Sequence, residues 1–137
     1  MDLLLPPLIQ AAELGSSSAL ASIAHAYNSG EGVEKDVDRS IHYLELAAIE
    51  GNEGARFNLA NTWKYYGQMD RAMKHYMIAV RDGHDGSLKN IQQLYSDGHV
   101  PKDDYTKALR AYQAYLSEIK SEQRDEAAAL NDEYKYF

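Results

Sequence analysis

Three glycines, 36 and then 32 residues apart, each begin a similar run of side chains, and this repetition constrains the fold more than any other feature. They are Gly15, Gly51 and Gly83. In each run a small residue follows after four positions, a large apolar residue after eight and an aromatic residue after twelve: Ala19, Ile23 and Tyr27; Ala55, Leu59 and Trp63; Ser87, Ile91 and Tyr95. Because residues four apart share one face of an α-helix, each run predicts a helix with one buried face. A period of this length indicates stacked helical repeats.

A second helix is predicted in each repeat from a pattern of the same kind. Its buried positions are a small residue, an apolar residue one position later and a large residue four positions later: Ser40, Ile41 and Leu44; Ala72, Met73 and Tyr76; Ala108, Leu109 and Tyr112. Paired small or apolar residues then precede the next glycine, as Ala47-Ala48 precede Gly51. Small residues let helices approach closely, and a glycine in the left-handed conformation ends the helix.

The first fourteen residues match the second half of such a pair. Ala11-Ala12 precede Gly15 as Ala47-Ala48 precede Gly51, and Pro6 and Pro7 fall in a helical first turn, where proline is tolerated. We therefore expect a leading half-repeat.

The loops inside the repeats account for their unequal lengths. Residues 30–36 of the first repeat contract to residues 67–70 in the second. Gly30 and Gly32 can adopt positive backbone angles, and either Asp36 or Asp38 can accept hydrogen bonds from the free amides of the next helix. No predicted strand precedes these glycines, so they indicate a turn and not a phosphate cradle.

The predicted fold is all-α: a right-handed α-solenoid of about three antiparallel helix pairs, preceded by a half-pair and closed by a long C-terminal capping helix. We expect one domain over residues 1–137, divided into a half-repeat (1–14), three repeats (15–50, 51–82 and 83–120) and a cap with a tail (121–137). In the last repeat Tyr115 and Leu116 replace the paired small residues. The final helix should therefore cover the exposed end, with Ser121 as a candidate break between two helices.

Composition excludes several classes of function. The net charge is -7, and the 14 Lys and Arg are scattered along the chain, so neither nucleic acid nor an anionic membrane is an expected partner. The apolar stretch at residues 3–9 is interrupted by two prolines and lacks a basic flank, so we expect no signal peptide and no membrane insertion. The absence of cysteine removes disulfides and thiol chemistry. We expect an intracellular protein of unspecified compartment.

The first repeat resembles the Sel-1-like repeat family, which is related to the tetratricopeptide repeats. The resemblance lies in Tyr27-x-x-Gly30-x-Gly32-Val33-x-x-Asp36, in Ala47-Ala48-x-x-Gly51 and in Ala55-x-x-x-Leu59-Ala60, and it extends over about residues 8–120. The segments 107–115 and 120–125 are similar to the ending of Sel-1-like proteins from unicellular algae such as diatoms. The resemblance implies an adaptor or scaffold that binds proteins, with no catalytic residues and no cofactor.

The candidate binding residues lie beside the buried face of the first helices. Equivalent positions carry amides or other polar groups, and aromatic residues accompany them: His25, Phe57, Asn58, Asn61, Tyr65, Lys89, Asn90 and Gln93. A row of amides can bind the backbone of an extended peptide, while Phe57 supplies an apolar anchor. The alternative is an ordinary polar helix face. The carboxylate clamp of some tetratricopeptide domains is not expected, because only Asn58 matches it.

Other clusters have structural explanations. The five histidines lack the spacing of a zinc site, so no metal is expected. Glu118, Glu122, Asp125 and Glu126 alternate with basic residues, which is typical of a solvated helix, and nothing indicates an enzyme. Met69, Met73 and Met77 are four residues apart, which fits a core stripe better than a binding strip.

A second hypothesis is structural: the chain is the cap or a subunit of a larger assembly, or it self-associates. On this hypothesis the leading half-repeat exposes an apolar edge made of Leu4, Leu8 and Ala12.

Overall fold

The computed structural model describes residues 5–134, which form seven helices and no strand. In chain order the helices are α1 (Leu5–Glu13), α2 (Ser17–Ser29), α3 (Val37–Ile49), α4 (Glu53–Tyr65), α5 (Met69–Arg81), α6 (Asp85–Ser96) and α7 (Lys102–Tyr134). A leading helix is thus followed by the three pairs α2–α3, α4–α5 and α6–α7. The predicted all-α fold is confirmed.

The first helix of every pair begins in the same way. The residue after each repeat glycine is the N-cap, and its side chain accepts a hydrogen bond from the amide of the small residue three positions later. The three bonds are Ala19 N to Ser16 Oγ at 3.1 Å, Ala55 N to Asn52 Oδ1 at 2.8 Å and Ser87 N to His84 Nδ1 at 3.0 Å. The glycines before these caps all have φ +90°, as the sequence predicts. One short signal therefore sets the start of three helices.

The helices group into two compact units, one extending to Ala79 and the other beginning at Val80, so that the division falls within α5. In the first unit α3 packs against both α2 and α4. The core there consists of the predicted apolar and small positions: Leu20, Ala24, Leu44, Ala47, Ala48, Ala55 and Leu59. Small residues dominate this cluster because the helix axes lie close together.

The leading helix is packed more fully than the sequence predicts. Leu8 and Ala12 are half-buried against a cluster of Ile23 and Val33. The expectation that they form an exposed apolar edge is therefore wrong, because the glycine-rich loop carries Val33 back to cover them. Leu4, the third residue of that edge, lies outside the described residues.

The second unit consists mainly of α6 and α7. Ile91 and Ala108 are fully buried there, and the rings of Tyr95 and Tyr105 stack with centroids 5.2 Å apart. Tyr115, which replaces a small residue of the repeat pattern, lies over the bare α-carbon of Gly83. The aromatic ring thus occupies the space that a side chain at Gly83 would need.

The last helix continues without a break through Ser121. Every residue from Ser121 to Asp132 is exposed, so the part of α7 that packs within its unit ends near Ile119. Residues 121–132 of the predicted cap are thus exposed, and their single large apolar side chain is Leu130. Tyr136 and Phe137 of the predicted tail lie outside the described residues.

Among the described helices, none combines the length and the apolarity that crossing a membrane requires. The longest, α7, is rich in charged residues.

Candidate functional site

A groove with a volume of about 470 Å³ lies in the first unit, with α2 on one side, α4 on the other and the beginning of α3 at its base. It is lined by Ala21, Ala24, His25, Asn28, Lys35, Val37, Ser40, Leu44, Asn58, Asn61, Thr62, Tyr65 and Tyr66. Most of these residues lie on the first helices of two successive repeats, where His25 and Asn61 occupy equivalent positions.

The base of the groove is made of small or buried side chains. Ala24 is fully buried, and Ser40 is 2% exposed and donates a hydrogen bond from Oγ to the carbonyl of Ala24 at 2.7 Å. Leu44 is also buried. Because the only buried hydroxyl at the base is already paired, it holds α2 and α3 together and offers little to a ligand.

One wall of the groove carries an amide of defined orientation. Tyr76 of α5 is fully buried, and its hydroxyl donates a hydrogen bond to Oδ1 of Asn61. Burial raises the pKa of Tyr76 to about 12, so the hydroxyl keeps its proton at neutral pH. This hydrogen bond fixes the orientation of the Asn61 amide, whose Nδ2 group can act as a donor to a ligand.

The rim of the groove carries aromatic rings and one lysine. Tyr65 is 83% exposed and Tyr66 is 50% exposed, and their rings meet edge to face with centroids 5.2 Å apart. Lys35 comes from the loop between α2 and α3, which is closed by a 2.9 Å hydrogen bond from the amide of Asp36 to the carbonyl of Tyr27. The groove therefore offers both apolar area and a positive charge.

The chemistry of the groove suits binding. None of the described residues that line it is an aspartate or a glutamate, so it holds no carboxylate for general acid-base work. Within residues 5–134 no group of three His, Asp or Glu side chains is placed to hold a metal ion. The lining offers amides, hydroxyls, aromatic rings, an imidazole and an ammonium group, all of which can contact a peptide.

Comparison with known proteins identifies the repeat. The family model described as "Sel1 repeat" matches residues 17–52 and 75–113, which together make up more than half of the chain. The chain belongs to the Sel1 repeat family. Sel1 repeats generally mediate protein–protein interactions.

Two solved structures are similar to this Sel1 chain. A Sel1 repeat protein from Oxalobacter formigenes is 28% identical with a TM-score of 0.64, and the match covers 83% of this chain and 49% of that protein. The protein c5321, a protective antigen of uropathogenic Escherichia coli with an SLR fold, is 26% identical with a TM-score of 0.63, over 81% of this chain and 25% of that protein. The chain thus spans about half and a quarter of their respective lengths. No curated protein matches the sequence.

Four of the predicted Sel1 site residues line the groove: His25, Asn58, Asn61 and Tyr65. Phe57 does not line it, and its ring lies 6.1 Å from that of Tyr76 on α5. The predicted anchor is thus part of the contact between α4 and α5, and the aromatic residues that line the groove are Tyr65 and Tyr66.

The other three predicted residues lie on α6, in the second unit. Lys89 forms an ion pair with Asp85 at 3.8 Å, Asn90 donates to the carbonyl of Gly86 at 3.0 Å, and Gln93 donates to Asp97 at 2.9 Å. None of the three lines the groove of the first unit. A binding role for them stays a prediction.

Several groove residues were not among the predicted site residues, notably Lys35, Asn28 and Tyr66. Asn28 lies three residues after His25, so a search along that helix face could have found it. Lys35 belongs to the loop, where no helical period applies. Only the conformation of the loop brings its side chain to the groove.

Proposed function

We propose that this Sel1 chain is a non-catalytic protein-interaction module that binds an extended peptide segment of a partner in the groove between α2 and α4. The family generally mediates protein–protein interaction, and the groove supplies the specific surface for this chain.

The observation that carries the proposal is the pre-oriented amide of Asn61 in the same groove as Tyr65. The buried hydroxyl of Tyr76 holds the oxygen of Asn61, so the amide needs little ordering when a ligand arrives. Preorganised donors give affinity because less conformational entropy is lost on binding. An exposed tyrosine beside them resembles the aromatic anchors that dominate binding energy at interfaces.

The assembly hypothesis has less support. It depended on an exposed apolar edge of the leading helix, but Leu8 and Ala12 pack against Ile23 and Val33. We therefore place the binding surface in the groove.

The proposal is tested with a partner captured from cells of the source organism and then purified. The double variant Asn58→Ala, Tyr65→Ala removes two exposed groove side chains without touching the Asn61–Tyr76 hydrogen bond. We expect it to weaken binding by at least about tenfold, as loss of an anchor residue does.

A matched control is Gln123→Ala, Leu130→Ala, which removes an amide and a large apolar side chain from the exposed part of α7. It should leave the affinity unchanged. If instead the groove variant binds as tightly as the wild type, within about 0.5 kcal/mol, the groove is not the binding surface.

A further inference from the structure

We propose that the groove selects peptide segments with an aspartate or glutamate side chain, which pairs with Lys35, and with an apolar neighbour that packs on Tyr65 and Tyr66. This inference rests on the proposed function and names the chemistry of the peptide.

The charge of the groove is opposite to that of the whole protein. The chain has a net charge of -7 with 21 acidic residues, yet none of the described lining residues is acidic and Lys35 contributes a cation. A carboxylate that approaches this groove therefore meets a positive charge within a chain whose net charge would otherwise repel it.

Lys35 is available to a ligand. None of the ion pairs among residues 5–134 involves it, and its side chain is exposed. The adjacent carboxylate, Asp36, is engaged elsewhere, because it caps α3 by accepting from the amide of Arg39 at 3.1 Å and pairs with the guanidinium of Arg39 at 3.5 Å. A peptide carboxylate that approaches Lys35 therefore does not have to displace a carboxylate of the described residues.

The hydrogen-bond donors of the groove also favour a carboxylate ligand. The Nδ2 group of Asn61 can donate while its oxygen accepts from Tyr76, and the ammonium of Lys35 has donors only. The hydroxyl of Thr62 donates to the carbonyl of Asn58 at 2.8 Å and so is directed to its own helix. A ligand rich in acceptors fits this set, and a carboxylate has two acceptor oxygens and no donor.

The tyrosine pair supplies the apolar part of the site. The two rings are held edge to face and remain half or more exposed, which leaves apolar area at the rim uncovered by the described residues. An apolar side chain next to the acidic residue would cover that area, and its contact would strengthen the ion pair by reducing its contact with water.

The test is a selection of random dodecapeptides on the immobilised protein, with the C-terminus of every peptide fused to the display carrier so that only side-chain carboxylates are presented. We expect the selected peptides to share one acidic position. The consensus peptide, synthesised with an acetylated N-terminus and an amidated C-terminus, is then titrated in solution by fluorescence anisotropy.

Replacing the shared glutamate by glutamine, or Lys35→Ala in the protein, should each weaken binding about three- to tenfold, a range between exposed and partly desolvated ion pairs. Combining the two changes should add little to either alone, because both remove the same interaction. Lys107→Ala, an exposed lysine of α7, is the matched control and should bind as the wild type does.

The outcomes separate the inference from the proposed function. Suppose that the selected peptides fail to bind the Asn58→Ala, Tyr65→Ala variant. If they lack a shared acidic position, or if they bind Lys35→Ala as tightly as the wild type, the inference is overturned and the proposed function stays intact. A peptide that binds only with a free terminal carboxylate also overturns it. If no selected peptide depends on Asn58 and Tyr65, the proposed function fails together with the inference.

Discussion

Gly15, Gly51 and Gly83 share one backbone conformation but have different neighbours. Each has φ +90°, where any L-residue is strained. A side chain at Gly15 or Gly51 would have no heavy atom within 4 Å, whereas a Cβ at Gly83 would lie 2.3 Å from the ring of Tyr115. The third glycine is therefore required twice, for its backbone conformation and for the space beside it.

Gly83→Ala should consequently destabilise the protein more than Gly51→Ala. Both substitutions place an alanine in the left-handed conformation, which costs about 1–2 kcal/mol. Only Gly83→Ala also displaces the Tyr115 ring, which adds about 1–3 kcal/mol of overpacking. The free energies of unfolding are measured by urea denaturation followed by circular dichroism. In a Tyr115→Ala background the two alanine substitutions should cost the same, and a persistent difference would contradict this explanation.

His75 is a second residue whose surroundings determine its behaviour. It is half-buried on α5, and its Nδ1 lies 3.3 Å from Nη1 of Arg56, which also donates through Nη2 to the carbonyl of Ala48 at 3.2 Å. Burial, and then the charges of Arg56 and Lys74, lower the pKa of His75 below its usual value of 6.5. Arg56 thus links α3, α4 and α5 only while the imidazole is neutral and can accept its hydrogen bond.

Stability should therefore fall on acidification. As the pH drops through about 6.5, His75 takes up a proton in the unfolded chain before it does so in the folded one, so unfolding becomes more favourable until the lower folded pKa is passed. The free energy of unfolding, compared at pH 7.5 and pH 5.5, should decrease more in the wild type than in His75→Gln. His42→Gln, at an exposed position of α3, should behave as the wild type. Equal pH dependence in all three proteins would contradict the role given to His75.

At the scale of helices, the sequence predicts the starts well because they depend on local chemistry. Ser16, Asn52 and His84 follow a glycine, and each is an N-cap in the structure. The residue after which α7 no longer packs within its unit could not be predicted in the same way. Helix propensity describes the backbone of residues 121–130, but whether those side chains touch anything depends on tertiary contacts.

Deletion of residues 121–137 should accordingly have little effect on the rest of the fold. The described side chains in this segment are exposed, so the free energy of unfolding should change by about 0.5 kcal/mol or less, while the helical circular dichroism signal falls. Deletion of residues 114–137, which also removes the half-buried Tyr115 and Ile119, is the comparison and should be clearly destabilising. A large loss of stability from the shorter deletion would show that residues 121–137 are packed against something in solution.

At the scale of the whole molecule, the period in the sequence predicted part of the groove lining. Positions repeated along first helices, such as His25 and Asn61, do line one groove. Phe57 was assigned to that surface because it lies beside the buried face of α4, but its ring lies close to that of Tyr76 on α5. Lys35 was missed because a loop carries no period. The sequence therefore predicted the helix faces, whereas the loop conformation and the pairing of Asn61 with Tyr76 depend on tertiary contacts that no local pattern encodes.

The central claim is that a peptide binds in the groove between α2 and α4. It is tested most directly by a nuclear magnetic resonance titration of the isotopically labelled protein with the peptide selected by display. We predict saturating shifts for the side-chain amides of Asn58 and Asn61 and for the backbone of His25, Asn28 and Tyr65, with residues 121–132 unchanged. Saturable binding that shifts α6 or α7 while the groove signals stay in place would contradict the account.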